Sequence, residues 1–267
     1  MEDLSTAGHA GKTYRMGRIF GADGRTLVLP LDHGTMLGRV SGLEDPLAAI
    51  RRFISFRCDG FLLGPGVTAR SASLFAGRGA PARILTLDSY WKGREVGVSS
   101  MIATAQRAAA LGVDGVKMLM PWNVGASERA AVVALLAALV EAADPLGLPV
   151  MAEPIAYEAP RGPEAVSVEA DGCRVAVELG VDIVKVAYPG DPGTFGEWCA
   201  ELHVPVVVLG GPGGEGSGEI VSEVAQAMAA GASGAIVGRR VWQRPPEEAE
   251  RVLEELHAVV HRSSGAV

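Results

Sequence analysis

The chain has 267 residues, a length that a single large α/β domain can occupy. Hydrophobic residues make up 48% and charged residues 21% of the sequence, so the chain can bury a sizeable core and does not have a disordered composition. The formal net charge of −7 argues against a nucleic-acid-binding protein, because that function needs a basic face.

Eight short apolar segments predict eight β-strands along the chain. Val, Ile and Leu fill them without regular polar alternation, as in parallel strands that are covered on both faces. The segments are residues 26–31, 60–63, 83–87, 115–119, 149–152, 183–186, 205–209 and 234–237. Helical patterns separate them, at residues 44–56, 99–111, 127–143, 168–179, 194–202 and 219–230. This alternation favours a single (β/α)8 TIM barrel, with a doubly wound open sheet as the alternative.

No linker or shift in composition divides the chain. We expect one TIM-barrel domain over residues 1–267, with a core at about 15–260 and frayed ends at about the first dozen residues and at residues 263–267. The N-terminus lacks the features of a signal peptide, and the longest apolar run, at residues 130–140, is too short to cross a bilayer. The three cysteines, Cys58, Cys173 and Cys199, are widely spaced and indicate free thiols in a reducing compartment. We therefore expect a cytoplasmic protein with no membrane partner.

Two lysines interrupt predicted strands. A repeated G-V-D-x-V-K pattern places Lys117 at the end of residues 112–117 and Lys185 at the end of residues 180–185. A lysine buried without a partner is costly, because burial disfavours the ammonium form. Each lysine is therefore either held in an ion pair or near the rim, or it is a nucleophile. In the second case, burial and the other cation lower its pKa, so that the neutral amine can attack a carbonyl and form a Schiff base.

Polar residues at the ends of other predicted strands would meet these lysines at the mouth of a barrel. Glu153 ends the fifth strand and is either a salt-bridge partner or the proton shuttle that imine chemistry needs. Asp32 follows the first strand, where it caps a loop or faces the same mouth, and His33 beside it would line the site. Tyr157, in the loop after the fifth strand, is a second candidate proton carrier, and Asp88 follows the third strand.

A glycine-rich segment follows the seventh strand. Residues 211–216 match the dinucleotide-binding pattern G-x-G-x-x-G, but they do not open a βαβ unit, and the next strand is followed by Arg239 where an acidic ribose ligand would be expected. Loops after strands 7 and 8 of a barrel often bind phosphate through backbone N–H groups, and an arginine adds a fixed charge. We therefore predict a phosphate site, with ordinary turn glycines as the alternative, from Gly210, Gly211, Gly213, Gly238 and Arg239. No His and carboxylate cluster has metal-ligand spacing, so we expect no metal and no cofactor.

Four segments together resemble the archaeal-type class I fructose-bisphosphate aldolases, the DhnA/DeoC/LacD-like group. They are LPLDHG at residues 29–34, GFLLGPG at 60–66, DIVKVAYPGD at 182–191 and VGRRVWQ at 237–243, in the same order as in that group. The resemblance covers about residues 15–257 and implies a (β/α)8 barrel. It places Lys185 at the imine lysine and Asp32 at the first-strand acid, and Gly210, Gly211, Gly238 and Arg239 in the phosphate loops. It also implies a homo-oligomer, since ring assemblies, often decamers, are the habit of the family.

The fifth strand departs from the archaeal pattern. Those aldolases carry Trp-x-Tyr there, with the tyrosine as proton donor, whereas this chain has Glu153, Pro154 and Ile155. Lys117 and Glu153 instead resemble the strand-4 lysine and strand-5 glutamate of the tagatose-bisphosphate and sulfofructose-phosphate aldolases, which serve the proton transfers. Tyr157 would replace the missing tyrosine only if its loop folds back.

The resemblance and the residues together predict a class I aldolase that reversibly cleaves a phosphorylated ketose into dihydroxyacetone phosphate, or a similar fragment, and an aldehyde. Lys185 would form the imine, Glu153 would move protons with help from Lys117, and Asp32 would assist dehydration or orient a hydroxyl. The alternatives are a related Schiff-base lyase or thiolase-like acyltransferase on a phosphorylated diketone, and a non-catalytic phosphosugar-binding regulator. The aldehyde would meet loops at residues 35–41, 88–94 and 156–164. Trp91, Arg94 and Arg161 in these loops either bind a second anion or are only rim residues.

Overall fold

The computed structural model describes residues 4–92, 97–211 and 217–261. Its strands are β1 (Thr26–Pro30), β2 (Gly60–Leu63), β3 (Ala82–Thr86), β4 (Asp88–Lys92), β5 (Gly97–Met101), β6 (Gly115–Pro121), β7 (Val150–Ile155), β8 (Ile183–Ala187), β9 (Val206–Leu209) and β10 (Gly234–Ile236). Eight of them form a closed parallel barrel in the order β1-β10-β9-β8-β7-β6-β3-β2. Because β1 pairs with both β10 and β2, the sheet has no free edge. The predicted TIM barrel is confirmed, and the open-sheet alternative is wrong.

Helices follow the barrel strands. They are α1 (Leu4–Ile19), α2 (Gly34–Leu37), α3 (Pro46–Phe53), α4 (Pro65–Arg70), α5 (Ala105–Ala110), α6 (Ala126–Ala143), α7 (Pro163–Glu178), α8 (Pro192–Leu202), α9 (Ser217–Ala229), α10 (Arg239–Trp242) and α11 (Pro246–Val260). Each predicted helix has a counterpart with shifted ends, whereas α1, α2, α4, α10 and α11 were not predicted. Within the described ranges, no helix combines the length and apolar character needed to cross a bilayer.

An antiparallel hairpin of β4 and β5 interrupts the alternation of barrel strands and helices. The sequence analysis expected a loop at residues 88–94 and a helix from residue 99, which is wrong at residues 88–92 and 99–101. The hairpin is fastened to its surroundings by side chains. The Ser89 hydroxyl donates to the carbonyl of Thr35 at 2.8 Å, and the Tyr90 hydroxyl donates to Glu128 Oε1 at 2.8 Å.

The barrel interior has an apolar layer with a polar layer above it. The apolar layer is formed by one residue from each of seven barrel strands: Val28, Leu62, Ile84, Met151, Ile183, Val207 and Ile236. Side chains alternate along a strand, so the residue two positions further on points into the same interior. On β3, β7 and β8 these residues are Thr86, Glu153 and Lys185, and on β6 the interior position after Gly115 is Lys117. The alternation therefore brings the polar side chains to one level.

Helix α1 closes the lower end of the barrel. Its last residue, Ile19, packs with Phe20 against the apolar interior layer. Lys12 Nζ lies 2.6 Å from Asp144 Oδ1 and 2.9 Å from Asp182 Oδ1, so charged contacts hold the helix in place. The expectation of a frayed N-terminus is therefore wrong from residue 4 onwards, because the chain is helical from there and the end of this helix packs against the apolar layer.

The repeated G-V-D-x-V-K pattern has the same structural role at both of its positions. The Asp114 carboxylate accepts the backbone N–H of Arg83 at 2.9 Å, at the start of β6. The Asp182 carboxylate likewise accepts the N–H of Val150 at 2.8 Å, at the start of β8. Each aspartate fixes its strand against the preceding barrel strand. The lysine that follows three residues later is consequently set at the same offset from the preceding barrel strand in both cases.

Gly172 allows α7 to lie directly against β7. A Cβ atom at this position would be 2.9 Å from Pro154 Cβ and 3.2 Å from Trp122 Cγ. We expect Gly172→Ala to lower the free energy of unfolding by about 1–3 kcal/mol, because the helix would have to move away from the strand. Urea denaturation measures the change.

Gly17→Ala in α1 is the matched control, since a Cβ atom there meets nothing within 4 Å. Alanine is the better helix former, so this variant should gain up to about 1 kcal/mol. Equal effects of the two substitutions would contradict the close contact of α7 with β7.

Candidate active site

A buried carboxylate lies between two buried lysines near the C-terminal ends of the barrel strands. Glu153 is on β7, and Lys117 and Lys185 are on the neighbouring strands β6 and β8. Lys117 Nζ is 2.6 Å from Glu153 Oε2, and Lys185 Nζ is 2.8 Å from Glu153 Oε1. The relative exposures of Lys117, Glu153 and Lys185 are 3%, 8% and 6%. The structure thus brings together the three residues that the sequence analysis selected on the fourth, fifth and sixth barrel strands.

The charges of this cluster determine its protonation. Burial alone would raise the pKa of Glu153, but the ammonium groups of Lys117 and Lys185 outweigh it and hold that pKa at about 2. Burial also acts against the charged form of Lys117, yet the carboxylates of Glu153, Asp88 and Asp32 outweigh it and raise the pKa of Lys117. The expected lowering is therefore wrong for Lys117, because the nearby acids have a greater effect than burial. At neutral pH Glu153 is ionised and Lys117 is protonated.

Asp32 and His33 follow β1 and lie beside the cluster. Asp32 Oδ2 accepts a hydrogen bond from the Thr86 hydroxyl at 2.5 Å, and Asp32 Oδ1 is 3.6 Å from His33 Nδ1. Burial lowers the pKa of His33; Asp32 opposes this shift, and Lys185 and Arg239 reinforce it. His33 is consequently neutral at pH 7. The sequence analysis gave Thr86 no role. The available signal was its position on β3, two residues after the interior Ile84.

Asp88 is a further buried acid that the sequence analysis left without a role. Its Oδ1 accepts the backbone N–H of Leu119 at 3.0 Å, whereas its Oδ2 is buried without a hydrogen-bond partner among the described residues. Burial raises the pKa of Asp88 to about 6, against the opposing charge of Lys117. Asp88 follows its strand just as Asp32 follows β1, and this shared position was the available signal.

The ends of β9 and β10 approach each other and β1 closely. A Cβ atom at Gly210 would lie 2.9 Å from the Val237 side chain, and one at Gly238 would lie 2.8 Å from the ring of Pro30. Gly211 has a positive φ of 66°, a conformation that favours glycine. At these three predicted phosphate-loop positions, close packing or the backbone conformation therefore favours glycine.

Arg239 directly follows Gly238 and begins the short helix α10. Its Nε is buried and has no hydrogen-bond partner among the described residues. Burial lowers the pKa of Arg239, and the carboxylate of Glu153 and the ionised form of Tyr157 oppose that shift. The guanidinium group is thus electrostatically coupled to the lysine–glutamate cluster. Gly213, the remaining predicted phosphate-loop residue, lies outside the described residues.

Tyr157 is held in the loop after β7. The Asn123 side chain donates to the carbonyl of Tyr157 at 3.0 Å and accepts its N–H at 2.8 Å. The Tyr157 ring meets that of Tyr90 edge-on, with 4.8 Å between centroids. The loop is therefore supported by the hairpin and by the β6–α6 connection, a role of Asn123 that the sequence analysis missed.

The residues considered for a second anion have different surroundings. Arg161 Nη1 lies 2.6 Å from Glu169 Oε2, and its Nη2 donates to the carbonyl of Tyr188 at 3.0 Å. The charge of Arg161 is therefore neutralised within the protein. Trp91 is 54% exposed on the hairpin, and Arg94 lies outside the described residues.

The polar groups at the mouth form a set suited to carbonyl chemistry on an anion. Two lysines and an arginine supply positive charge, and Glu153 can accept a proton directly from Lys185. In the part of the chain that the structure describes, no three His, Cys, Asp or Glu side chains form a group able to hold a metal ion. Cys58, Cys173 and Cys199 are free thiols, as predicted.

The comparisons with known proteins agree on one protein family. The sequence profile of the DeoC/LacD family aldolases matches residues 26–244. The 2-amino-3,7-dideoxy-D-threo-hept-6-ulosonate synthase of Halobacterium salinarum is 34% identical over 258 residues, which cover 94% of this chain and 92% of that protein. The 2-amino-4,5-dihydroxy-6-oxo-7-(phosphonooxy)heptanoate synthase of Streptomyces griseus is 28% identical over 260 residues, which cover 94% of this chain and 91% of that protein.

A solved structure shows the same barrel. A Schiff-base-forming fructose-1,6-bisphosphate aldolase, whose reaction intermediates were analysed structurally, superposes with a TM-score of 0.79. Its sequence is 27% identical, and the superposition covers 94% of this chain and 100% of that one. The expected resemblance to archaeal-type class I aldolases is confirmed.

The raised pKa of Asp88 predicts a specific dependence of stability on pH. Between about pH 4 and pH 6 the folded protein keeps the Asp88 proton while the unfolded chain loses it, so raising the pH through this window destabilises the fold. We expect Asp88→Asn to remove this contribution, while its amide oxygen still accepts the Leu119 N–H. The stability difference between variant and wild type should rise by about 2–3 kcal/mol from pH 4 to pH 7.

Urea denaturation at both pH values measures this difference. The lowered pKa of Glu153 acts at lower pH and with the opposite sign, since its contribution is lost only as the pH falls from about 4.5 towards 2. A difference between Asp88→Asn and wild type that stays constant with pH would contradict the raised pKa of Asp88.

Proposed function

The chain belongs to the DeoC/LacD family of aldolases, and we propose that it reversibly cleaves a phosphorylated ketose by the class I, Schiff-base mechanism. The products would be dihydroxyacetone phosphate, or a similar fragment, and an aldehyde. The observation that carries this proposal is the carboxylate of Glu153 shared by Lys117 and Lys185. An amine that must lose a proton and a base that must receive one are in direct contact.

Lys185 is the proposed nucleophile. Its ammonium group gives one proton to Glu153, 2.8 Å away, and the neutral amine attacks the ketone carbon. The carbonyl oxygen takes up a proton to form the carbinolamine and, with a second proton, leaves as water. The product is an iminium ion, which draws electrons from the adjacent carbon–carbon bond. Asp32 and Lys185 both act electrostatically on His33, and Asp32 would assist the dehydration or orient a hydroxyl.

Glu153 is the proposed base for bond cleavage. Its carboxylate takes the proton of the C4 hydroxyl, the C3–C4 bond breaks, and its electron pair moves to the iminium to give a neutral enamine and a free aldehyde. Neutralising the nitrogen removes one of the two positive charges that hold the pKa of Glu153 near 2. The base therefore becomes stronger in the same step in which it accepts the proton. Returning that proton to C3 restores the iminium, which water then hydrolyses.

The other site residues bind and orient the substrate in this proposal. Lys117 keeps a permanent positive charge beside Glu153 and the substrate oxygens. The backbone at the ends of β9 and β10, with Arg239, would bind the phosphate, and His33 would line the site. That backbone is the set Gly210, Gly211, Gly213 and Gly238. Tyr157 is a second proposed proton carrier, supported by its electrostatic coupling to Arg239.

A second candidate reaction is the synthesis of a seven-carbon amino acid. The names of the two sequence relatives both describe heptanoate-type acids with an amino group at C2 and a keto group at C6, and one of them is 34% identical to this chain. The imine chemistry would be the same, running towards carbon–carbon bond formation. Mass spectrometry of the products from phosphorylated ketoses, with and without an added amino-aldehyde, separates the two reactions.

Borohydride trapping tests the proposed nucleophile. Incubation with fructose 1,6-bisphosphate or tagatose 1,6-bisphosphate and borohydride should add mass to the peptide that contains Lys185. Lys185→Ala should abolish both the trapping and the cleavage. Glu153→Gln should keep trapping, because two lysines without their shared carboxylate repel each other and this favours a neutral amine. It should still lose about 10²–10⁴-fold in kcat, the usual contribution of a general acid or base.

Lys117→Met is the matched control, because Lys117 contacts the same carboxylate. This variant should still be labelled at Lys185 and should turn over more slowly. In the wild type, labelling at Lys117 instead of Lys185 would contradict the assignment. A wild-type chain that no phosphorylated ketose labels would favour the non-catalytic regulator.

The phosphate site predicts an effect on substrate affinity. Arg239→Met should raise KM for a phosphorylated ketose by about 10–100-fold, since hydrogen bonds to charged groups contribute about 1.5–3 kcal/mol. Borohydride trapping of an unphosphorylated ketose, measured as its concentration dependence, should change little. An equal loss for both substrates would argue against phosphate binding at Arg239.

A further inference from the structure

A cleft of about 200 Å³ opens beside Asp32, between the segments that follow β1 and β2. Its walls are mainly apolar and include Leu31, Leu43, Pro65 and Val67. Since about 10–15 Å³ of such space holds one water molecule, the cleft can hold a fragment of several non-hydrogen atoms. The cleft is therefore of the size of a short carbon chain with one polar end group.

The charged residues that line the cleft, among the described ones, are Asp32 and Arg70. Asp32 is largely buried, with 12% of its side chain exposed, while Arg70 is exposed on the last turn of α4. Arg70 Nη1 donates to the carbonyl of Gly66 at 3.3 Å, and no carboxylate in the described ranges forms an ion pair with it. A guanidinium group in this position is free to bind an anion with two parallel hydrogen bonds.

The cleft lies to one side of the predicted phosphate loops. Around the barrel the strands follow in the order β9, β10, β1 and β2. The phosphate loops follow β9 and β10, Asp32 follows β1, and the cleft lies beyond it towards β2. A substrate held by its phosphate at one side would direct its other end past Asp32 into the cleft.

We propose that this cleft binds the aldehyde half of the substrate and that Arg70 recognises an anionic group at its far end. The inference rests on the proposed aldolase function and specifies its second substrate as a short aldehyde with a terminal carboxylate or phosphate. The apolar walls contact the carbon chain, and Asp32 faces the end nearest the reacting carbon. Arg70 is a specificity-determining residue that takes no part in imine formation.

The test separates the two halves of the reaction. Exchange of the C3 hydrogen of dihydroxyacetone phosphate in deuterated water needs Lys185 and the phosphate site but no aldehyde. Condensation is then measured with three aldehydes, namely glyceraldehyde 3-phosphate, succinic semialdehyde and uncharged glyceraldehyde. Arg70→Met should raise KM by about tenfold for at least one of the two anionic aldehydes, which identifies the preferred anion. Exchange and the KM for glyceraldehyde should be unchanged.

Arg78→Met is the matched control, since Arg78 is an exposed arginine that precedes β3, at the other end of the barrel. It should leave all three KM values unchanged. The inference is overturned if Arg70→Met affects charged and uncharged aldehydes equally, or affects neither, while the wild type exchanges normally. If the wild type shows neither exchange nor trapping, the proposed function itself has failed.

Discussion

The sharing of one carboxylate between two ammonium groups is the interaction on which the rest of the site depends. Each of these three charges would be strongly unfavourable if it were buried alone. Together they leave a single positive charge, and the contacts of 2.6 and 2.8 Å fix the side chains without water between them. The barrel must therefore place Lys117, Glu153 and Lys185 at compatible depths on three successive strands. The registers of β6 with β7 and of β7 with β8 provide this, and the aspartates that precede β6 and β8 anchor these strands to β3 and β7.

The position of Glu153 between the lysines also links charge to chemistry. If Glu153 contacted only Lys117, its pKa would not depend on the reaction at the substrate. Here one partner is the proposed nucleophile, whose charge changes during the reaction, while Lys117 remains protonated because three acids raise its pKa. The basicity of Glu153 thus follows the state of the nitrogen on Lys185. Asp88 adds a buried acid beside Lys117. Its Oδ2 has no hydrogen-bond partner in the described part of the chain, which carries a desolvation cost.

Most of the barrel and the core of the site follow from local patterns in the sequence. Apolar runs mark the eight barrel strands, and Lys117, Glu153 and Lys185 are found because a charge after an interior apolar residue is rare enough to stand out. The hairpin of β4 and β5 was missed because its alternation lies in a segment that also fits a helix start. Helix α1 was missed because its stability comes from contacts with Asp144 and Asp182, more than 130 residues away. Glu153, Asp88 and Asp32 raise the pKa of Lys117, and they come from other segments of the chain. No local sequence pattern could therefore predict the direction of this shift.

The difference between strand residues and loop residues also explains which features members of the family are expected to share. The groups proposed to react are on β6, β7 and β8, where alternation and register hold them in place, and the barrel itself is shared with a solved structure at 27% identity. The groups proposed to select the aldehyde lie on short segments after β1 and β2, such as the six-residue helix α4. Such segments tolerate change because little of the core depends on them. Relatives with one barrel and different named products are the expected result of this division.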